Sequence, residues 1–160
     1  MYKSGKLVVQ MPKSFKVKKA TFDDWKTISA IEKFAISKLY STGIKDEQIS
    51  EYLKRETVLL AFVEDKIIGK ISYRKQENVL HISGLVILSD WRKMGYGTKF
   101  SEYVIDLFPN VKTFELTVHP ENKQAVSIYQ KLGFVTTERI ENLYGDGEPR
   151  LVMTLTRAKN

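Results

Sequence analysis

The chain of 160 residues contains no cysteine. Disulfides, thiolate metal sites and a cysteine nucleophile are therefore excluded together, although this absence does not by itself fix a cellular compartment. Histidine is almost as scarce, with only His81 and His119. The two stand far apart and belong to no HExxH pattern, so no catalytic metal is expected. No apolar run approaches the ~18–20 residues that cross a bilayer. The short apolar stretch Leu7-Val8-Val9 in the basic N-terminus is too brief for the core of a signal peptide. The expectation is a cytoplasmic protein with no membrane partner. The four prolines form no linker, and no internal repeat or low-complexity tract divides the chain. One domain with a substantial core fits this length.

Composition is ordinary for a globular protein, with 42% hydrophobic and 28% charged residues. The net charge of +7 is not evenly spread. Residues 1–19 carry six lysines (Lys3, Lys6, Lys13, Lys16, Lys18 and Lys19) and no acid, while residues 20–160 hold 20 basic and 19 acidic residues. Basicity thus belongs to a leader, residues 1–14, and to the first strand of a single domain spanning 15–157. A solvated basic arm accounts for it, and nucleic acid is disfavoured as a partner.

Periodicity orders the rest. Phe15–Ala20 alternates like a half-buried strand. Thr21 and Asp24 then form a variant capping box, ahead of a helix with Ile28, Ile31, Phe34 and Ala35 on its buried stripe. A second helix is expected near Asp46, with Ile49, Tyr52 and Leu53 on one face. Val58–Val63, Ile67–Arg74 and Val79–Leu88 follow as an antiparallel meander with short turns. The pattern then changes to strand–helix alternation. A helix runs from Gly95 to Phe108 with Phe100, Val104, Leu107 and Phe108 inward, then a strand over Thr113–Val118. A helix over Glu121–Leu132 is closed by Gly133. Val135–Leu143 and Arg150–Thr156 make a final hairpin around Gly145-Asp146-Gly147. Together these imply a mixed α/β (α+β) sheet.

Candidate chemistry concentrates after the third meander strand. The apolar run Ile82–Leu88 feeds Arg92-Lys93-Met94-Gly95-Tyr96-Gly97-Thr98 at the mouth of a helix. Free amides and the helix dipole at such a point suit a phosphate, and Gly95 and Gly97 allow close backbone approach. The loop is neither a Walker A motif nor a dinucleotide fingerprint. Taken alone, it is equally a tight strand-to-helix turn. Downstream, Asn122, Ala125 and Tyr129 share one helix face, followed by Gly133-Phe134.

The two motifs in this order resemble the GNAT superfamily of N-acetyltransferases. Its signatures are [RQ]-x-x-G-x-[GA] between a central strand and a helix, then N-x-x-A-x-x-x-Y-x-x-x-G-F. The resemblance covers roughly residues 15–156. It implies the acyl-CoA N-acyltransferase fold, in which an antiparallel meander and later strand–helix units surround a splayed central sheet. It also implies acetyl-coenzyme A as co-substrate, an amine acceptor and no metal. Arg92, Lys93, Met94, Gly95, Tyr96, Gly97 and Thr98 would cradle the pyrophosphate. Leu85, Val86 and Ile87 match the strand whose backbone pairs with the pantetheine arm, and one of its amides would polarise the thioester carbonyl. Asn122 matches a coenzyme-contacting asparagine, and Tyr129 the general acid toward the departing thiolate. The amine attacks directly, and a base must first remove its proton.

Some positions depart from that pattern. Thr117 stands where N-terminal acetyltransferases of the superfamily commonly have a glutamate base. His119, two residues along that strand, and His81 on the central strand are the substitutes considered. Ser89 replaces a frequent proline. Gly84 lies inside the central strand, where glycine marks a bulge or close approach. Around the last hairpin, Tyr144 with Asp146-Gly147-Glu148 resembles ribosomal-protein N-terminal acetyltransferases, which makes Tyr144 a candidate acceptor contact. Peptide, polyamine and amino-sugar acceptors stay open, as do a homodimeric assembly and a non-catalytic acyl-CoA-binding module.

Overall fold

A computed structural model describes residues 14–40 and 43–158; the leader, apart from Ser14, lies outside them. Eleven regular elements follow one another: β1 (Lys16–Lys19), α1 (Trp25–Ala35), α2 (Ile49–Arg55), β2 (Thr57–Val63), β3 (Lys66–Gln76), β4 (Val79–Ile87), α3 (Tyr96–Leu107), β5 (Thr113–Val118), α4 (Lys123–Lys131), β6 (Val135–Ile140) and β7 (Arg150–Thr156). The strands form one mixed sheet in the order β1-β2-β3-β4-β5-β7-β6. Only β4 and β5 run parallel; the other neighbours are antiparallel.

Strand β2 shows how the layers arise. Side chains alternate across a strand, and here both faces are apolar. Leu59, Ala61 and Val63 join the cluster containing Phe100, Val104 and Phe134. Val58 and Leu60 join Ile28, Ile31 and Tyr52 on the opposite face. The sheet is therefore packed between α1 and α2 on one side and α3 and α4 on the other.

Local signals act largely as expected, with physical adjustments. The Asp24 carboxylate accepts the Thr21 amide hydrogen at 2.8 Å, and a single 3-10 turn, Phe22–Asp24, leads into α1. Another 3-10 turn, Asp46–Gln48, precedes α2. Helix α4 starts at Lys123 rather than Glu121, because Asn122 caps it by accepting the Ala125 amide at 3.3 Å. Phe34 does not join the buried stripe of α1: it is 46% exposed and lies against the Arg92 guanidinium, 5.2 Å from its ring centroid. Leu107 is likewise exposed, and Ile105 takes its inward place. The last hairpin is not tight. Strand β6 ends at Ile140, and residues 141–149 form a long connection before β7.

The sheet opens at its centre. Strands β4 and β5 are paired only from Val79↔Thr113 to Ile82↔Leu116. Beyond that point Leu85, Val86 and Ile87 pair with β3 alone, and Thr117 and Val118 pair with β7 alone. A bulge marks the fork: Tyr73 faces Ile82 and Ser72 faces Gly84, so Ser83 is the extra residue. The expected irregularity near Gly84 is thus centred one residue earlier. Gly84 itself makes room for a neighbour, since a Cβ there would lie 2.7 Å from the Tyr40 hydroxyl.

Candidate active site

The fork creates a cleft with two communicating parts. One, of about 400 Å³, is lined by Leu85, Val86, Ile87, Arg92, Gly97 and Ile128. The other, of about 500 Å³, runs past Ser83, Thr117, Tyr129 and Tyr144. Tyr40, Leu85, Asn122 and Ala125 border both. Each volume lies in the range of small-molecule sites.

The loop after β4 shapes the smaller part. Lys93 (φ 59°) and Gly95 (φ 86°) adopt left-handed conformations, and Gly95 is the residue that opens α3. The following amides stand at the positive end of a helix of twelve residues, a ready anion site. Gly97 borders the cleft, where a Cβ would come within 3.0 Å of Ile128 Cδ1. Arg92 is anchored: its Nε donates to the Ile87 carbonyl at 2.7 Å, tying the loop to the end of β4. Lys93 and Met94 are exposed. The Tyr96 ring is buried against Phe15 and Trp91, so only its backbone can serve a bound anion. Thr98 is half-buried on the first turn of α3. A backbone edge left unpaired by the fork, a glycine-lined wall and a helix N-terminus fit an extended phosphate-bearing thioester.

Tyr129 borders the larger part and is buried. Burial pushes its phenol above the ordinary tyrosine range, with a hydrogen bond to Ser101 acting the other way. Ser101 Oγ in turn donates to the Gly97 carbonyl at 2.9 Å. The phenol therefore stays protonated and is suited to donate a hydrogen bond.

The two histidines occupy different settings. His119 is buried, its Nδ1 accepts the Glu121 amide hydrogen at 3.1 Å, and its Nε2 contacts Glu148 at 2.7 Å. Both ring nitrogens are engaged, Nε2 with the 141–149 connection and Nδ1 with the turn that leads into α4. His81 faces Glu115 across the β4–β5 pair, 3.3 Å from Nδ1 to the carboxylate. Thr117, at the position where relatives often carry a glutamate, meets the Tyr144 hydroxyl at 2.6 Å. Tyr144 also lies over the guanidinium of Arg150 at 5.1 Å. Arg150 is buried and donates to Asp146 Oδ2 at 2.8 Å and to the Pro149 carbonyl at 3.0 Å.

Sequence patterns gave no signal for several lining residues. Lys70 and Glu32 form a fully buried ion pair, and Lys70 also donates to the Tyr52 hydroxyl at 3.0 Å. Burial alone would lower the Lys70 ammonium, but the surrounding phenols Tyr40 and Tyr52 and the Glu32 carboxylate outweigh it and raise it. Tyr40 is raised by burial. Glu56 is buried, and one oxygen accepts from Ser83 Oγ at 2.6 Å while the other accepts from Arg74 at 3.2 Å. Two signals were available in retrospect: Lys70 interrupts the apolar run of β3, and Tyr52 was already assigned to a buried face. Among the described residues no group of three or more histidines or carboxylates is arranged to hold a metal. No helix there is long and apolar enough to cross a membrane.

Residues 27–156 match the family model for the acetyltransferase (GNAT) domain. The chain belongs to the GNAT family and is an acetyl-coenzyme A-dependent N-acetyltransferase. An N-alpha-acetyltransferase of Sulfurisphaera tokodaii is 26% identical over 156 residues, 88% of this chain and 92% of that protein. N-alpha-acetyltransferase 50 of Danio rerio is 31% identical over 101 residues, 59% of this chain and 60% of that one. Among solved structures, Ard1 from Thermoplasma volcanium superposes with a TM-score of 0.80 at 19% identity, covering 91% of this chain and 99% of its own. The ribosomal-protein-S18-alanine N-acetyltransferase from Escherichia coli gives 0.77 at 18% identity, covering 91% and 96%. At such identities the structural likeness establishes the fold.

Proposed function

We propose that the acceptor is the α-amino group of a protein N-terminus. One observation carries this reading: Tyr144, held by Thr117 and Arg150, lines the larger cavity while remaining 54% exposed to solvent. A solvent-exposed aromatic held in place by two neighbours suits an extended peptide that continues into solvent better than a small amine, whose site buries most of the ligand's surface. The N-alpha-acetyltransferases among its relatives agree with it. A cytoplasmic location accords with such an acceptor.

The chemistry follows from the cleft. Amides of Gly95, Tyr96, Gly97 and Thr98 bind the pyrophosphate, while the unpaired edge of Leu85–Ile87 receives the pantetheine and polarises the thioester carbonyl. Asn122 spends its carbonyl oxygen on capping α4, so its amide NH₂ is the group offered to the coenzyme. Tyr129 donates a hydrogen bond to the sulfur as charge develops there. Its raised phenol is a weaker acid than a thiol, so it stabilises the thiolate more than it protonates it.

The test is thiol release from acetyl-coenzyme A against peptides with free N-termini, the same peptides with blocked N-termini and internal lysines, polyamines and amino-sugars. The enzyme has no thiol of its own, so background is low. Turnover confined to free N-termini is expected; equal turnover with blocked peptides or small amines would overturn the reading.

A further inference from the structure

The proton that must leave the incoming amine has no assigned acceptor. His119 has both nitrogens engaged, and Thr117 is bound to Tyr144. At the fork itself, however, a hydroxyl and a carboxylate are in close contact. Ser83 is the extra residue of the β4 bulge and lines the larger cavity beside Gly84 and Leu85. It is the first β4 residue beyond the last β4–β5 pair, Ile82↔Leu116. Its Oγ donates to Glu56 Oε2 at 2.6 Å. The opposite oxygen, Oε1, is fixed by Arg74 at 3.2 Å and approached by Arg55 at 3.7 Å. The Glu56 side chain is only 3% exposed.

We infer that Ser83 is the catalytic residue that takes the amine proton, and that Glu56 is the positioning carboxylate that receives the Ser83 proton in turn. The inference deepens the acetyl-transfer reading and rests on it. A serine that donates to a carboxylate keeps its lone pairs for a donor on its other side, here an amine entering the cavity. Arg74 holds Oε1, so Oε2 stays aimed at Ser83, the same orienting logic as a third member of a nucleophile–base pair. The bulge turns Ser83 out of the ladder at the point where the thioester lies along the β4 edge.

The step balances. The amine enters in its neutral form, its ammonium proton already lost to solvent; as its nitrogen bonds to the thioester carbon, one N–H proton passes to Ser83 Oγ and the Ser83 proton passes to Glu56 Oε2. The carbon–sulfur bond then breaks, the thiolate departs against Tyr129 and takes a proton from solvent, and Glu56 returns its own to solvent. Charged groups lining the same space include Arg55 from α2, Arg74 from β3, His81 from β4, Glu115 from β5, His119 after it, Arg150 from β7 and the paired Glu32 and Lys70, beside the phenols of Tyr40, Tyr52, Tyr129 and Tyr144. His81, already paired with Glu115, is the rival base.

The experiment compares Glu56→Gln, Ser83→Ala, Ser83→Thr and His81→Ala with the wild type. Both peptide acetylation and slow acetyl-coenzyme A hydrolysis without amine are followed. Glu56→Gln is expected to lower both rates roughly 100-fold, the low end for loss of a general base. Melting temperature and acetyl-coenzyme A affinity by calorimetry should hold. Ser83→Ala should lose activity and Ser83→Thr recover it. The ¹³C carboxyl resonance of Glu56 should move in Ser83→Ala and not in His81→Ala. Retention of at least a third of wild-type activity in Glu56→Gln, equal behaviour of the alanine and threonine variants, or a loss in His81→Ala as large as that expected for Glu56→Gln would overturn the relay. Failure of the peptide reading shows differently: release with peptides no faster than hydrolysis, while the Glu56 and Ser83 variants still slow hydrolysis.

Discussion

Tyr129 and Lys70 are both buried polar side chains beside one cavity, and their environments set opposite tasks. The Tyr129 phenol is kept protonated by burial, and the contribution proposed for it belongs to the step in which sulfur gains charge. Tyr129→Phe should therefore lower kcat by about 100-fold and leave acetyl-coenzyme A affinity within twofold, measured by steady-state kinetics and calorimetry. Equal loss of both would make it a packing residue. Lys70 instead neutralises Glu32 in the interior. Removing one partner of such a pair strands a charge at a cost of about 3–5 kcal/mol. Lys70→Met should show that loss in urea denaturation, and adding Glu32→Leu should restore much of it. Neither residue was assigned an ion pair from the sequence, because their side chains meet only after α1 packs on β3.

Elements carry the next consequences. The β4–loop–α3 unit is legible from its glycines, since a left-handed opening residue and a close approach both favour a residue without a side chain. Gly97→Leu should weaken acetyl-coenzyme A binding at least tenfold, because the new side chain meets Ile128 and fills the cleft, and calorimetry reads this directly. The 141–149 connection was expected as a tight hairpin from Gly145-Asp146-Gly147. It is instead held by Thr117 of β5, His119 just beyond that strand and Arg150 of β7. A backbone hydrogen bond from Glu148 keeps the Asp146 carboxyl below its ordinary range, and Arg150 adds to this. With a folded value depressed, its stabilisation is present above the unfolded value, about 3.9, and is lost as pH falls through the folded one. Protection of the Gly147 and Glu148 amides relative to their intrinsic exchange rates should fall below about pH 4, and Asp146→Asn should remove that step.

On the scale of the whole molecule, the sheet's fork defines one continuous cleft, and the helices on its two faces supply its walls. The described fold begins at Ser14, whose hydroxyl accepts the Glu64 amide at 3.2 Å. A chain starting at Ser14 is expected to keep acetyl-coenzyme A affinity within twofold, by calorimetry; a larger loss would give the basic leader a part in the site. Charge supports this, since residues 20–160 are nearly balanced.

The amino-acid sequence by itself determined the elements, their order and the glycine-containing loop between β4 and α3. Strand and helix periodicities are local, and Gly95, Gly97 and Gly133 mark local backbone demands, so neighbouring residues encode them. Only the tertiary structure decided which side chains share the cleft. Phe34 leaves its helix's buried stripe to lie on Arg92, Thr117 holds Tyr144, Lys70 neutralises Glu32, and Ser83 meets Glu56. Each pair joins positions far apart in the chain, and no periodicity links them. Such contacts exist only once the sheet has closed its long loops and set the register that brings the partners together.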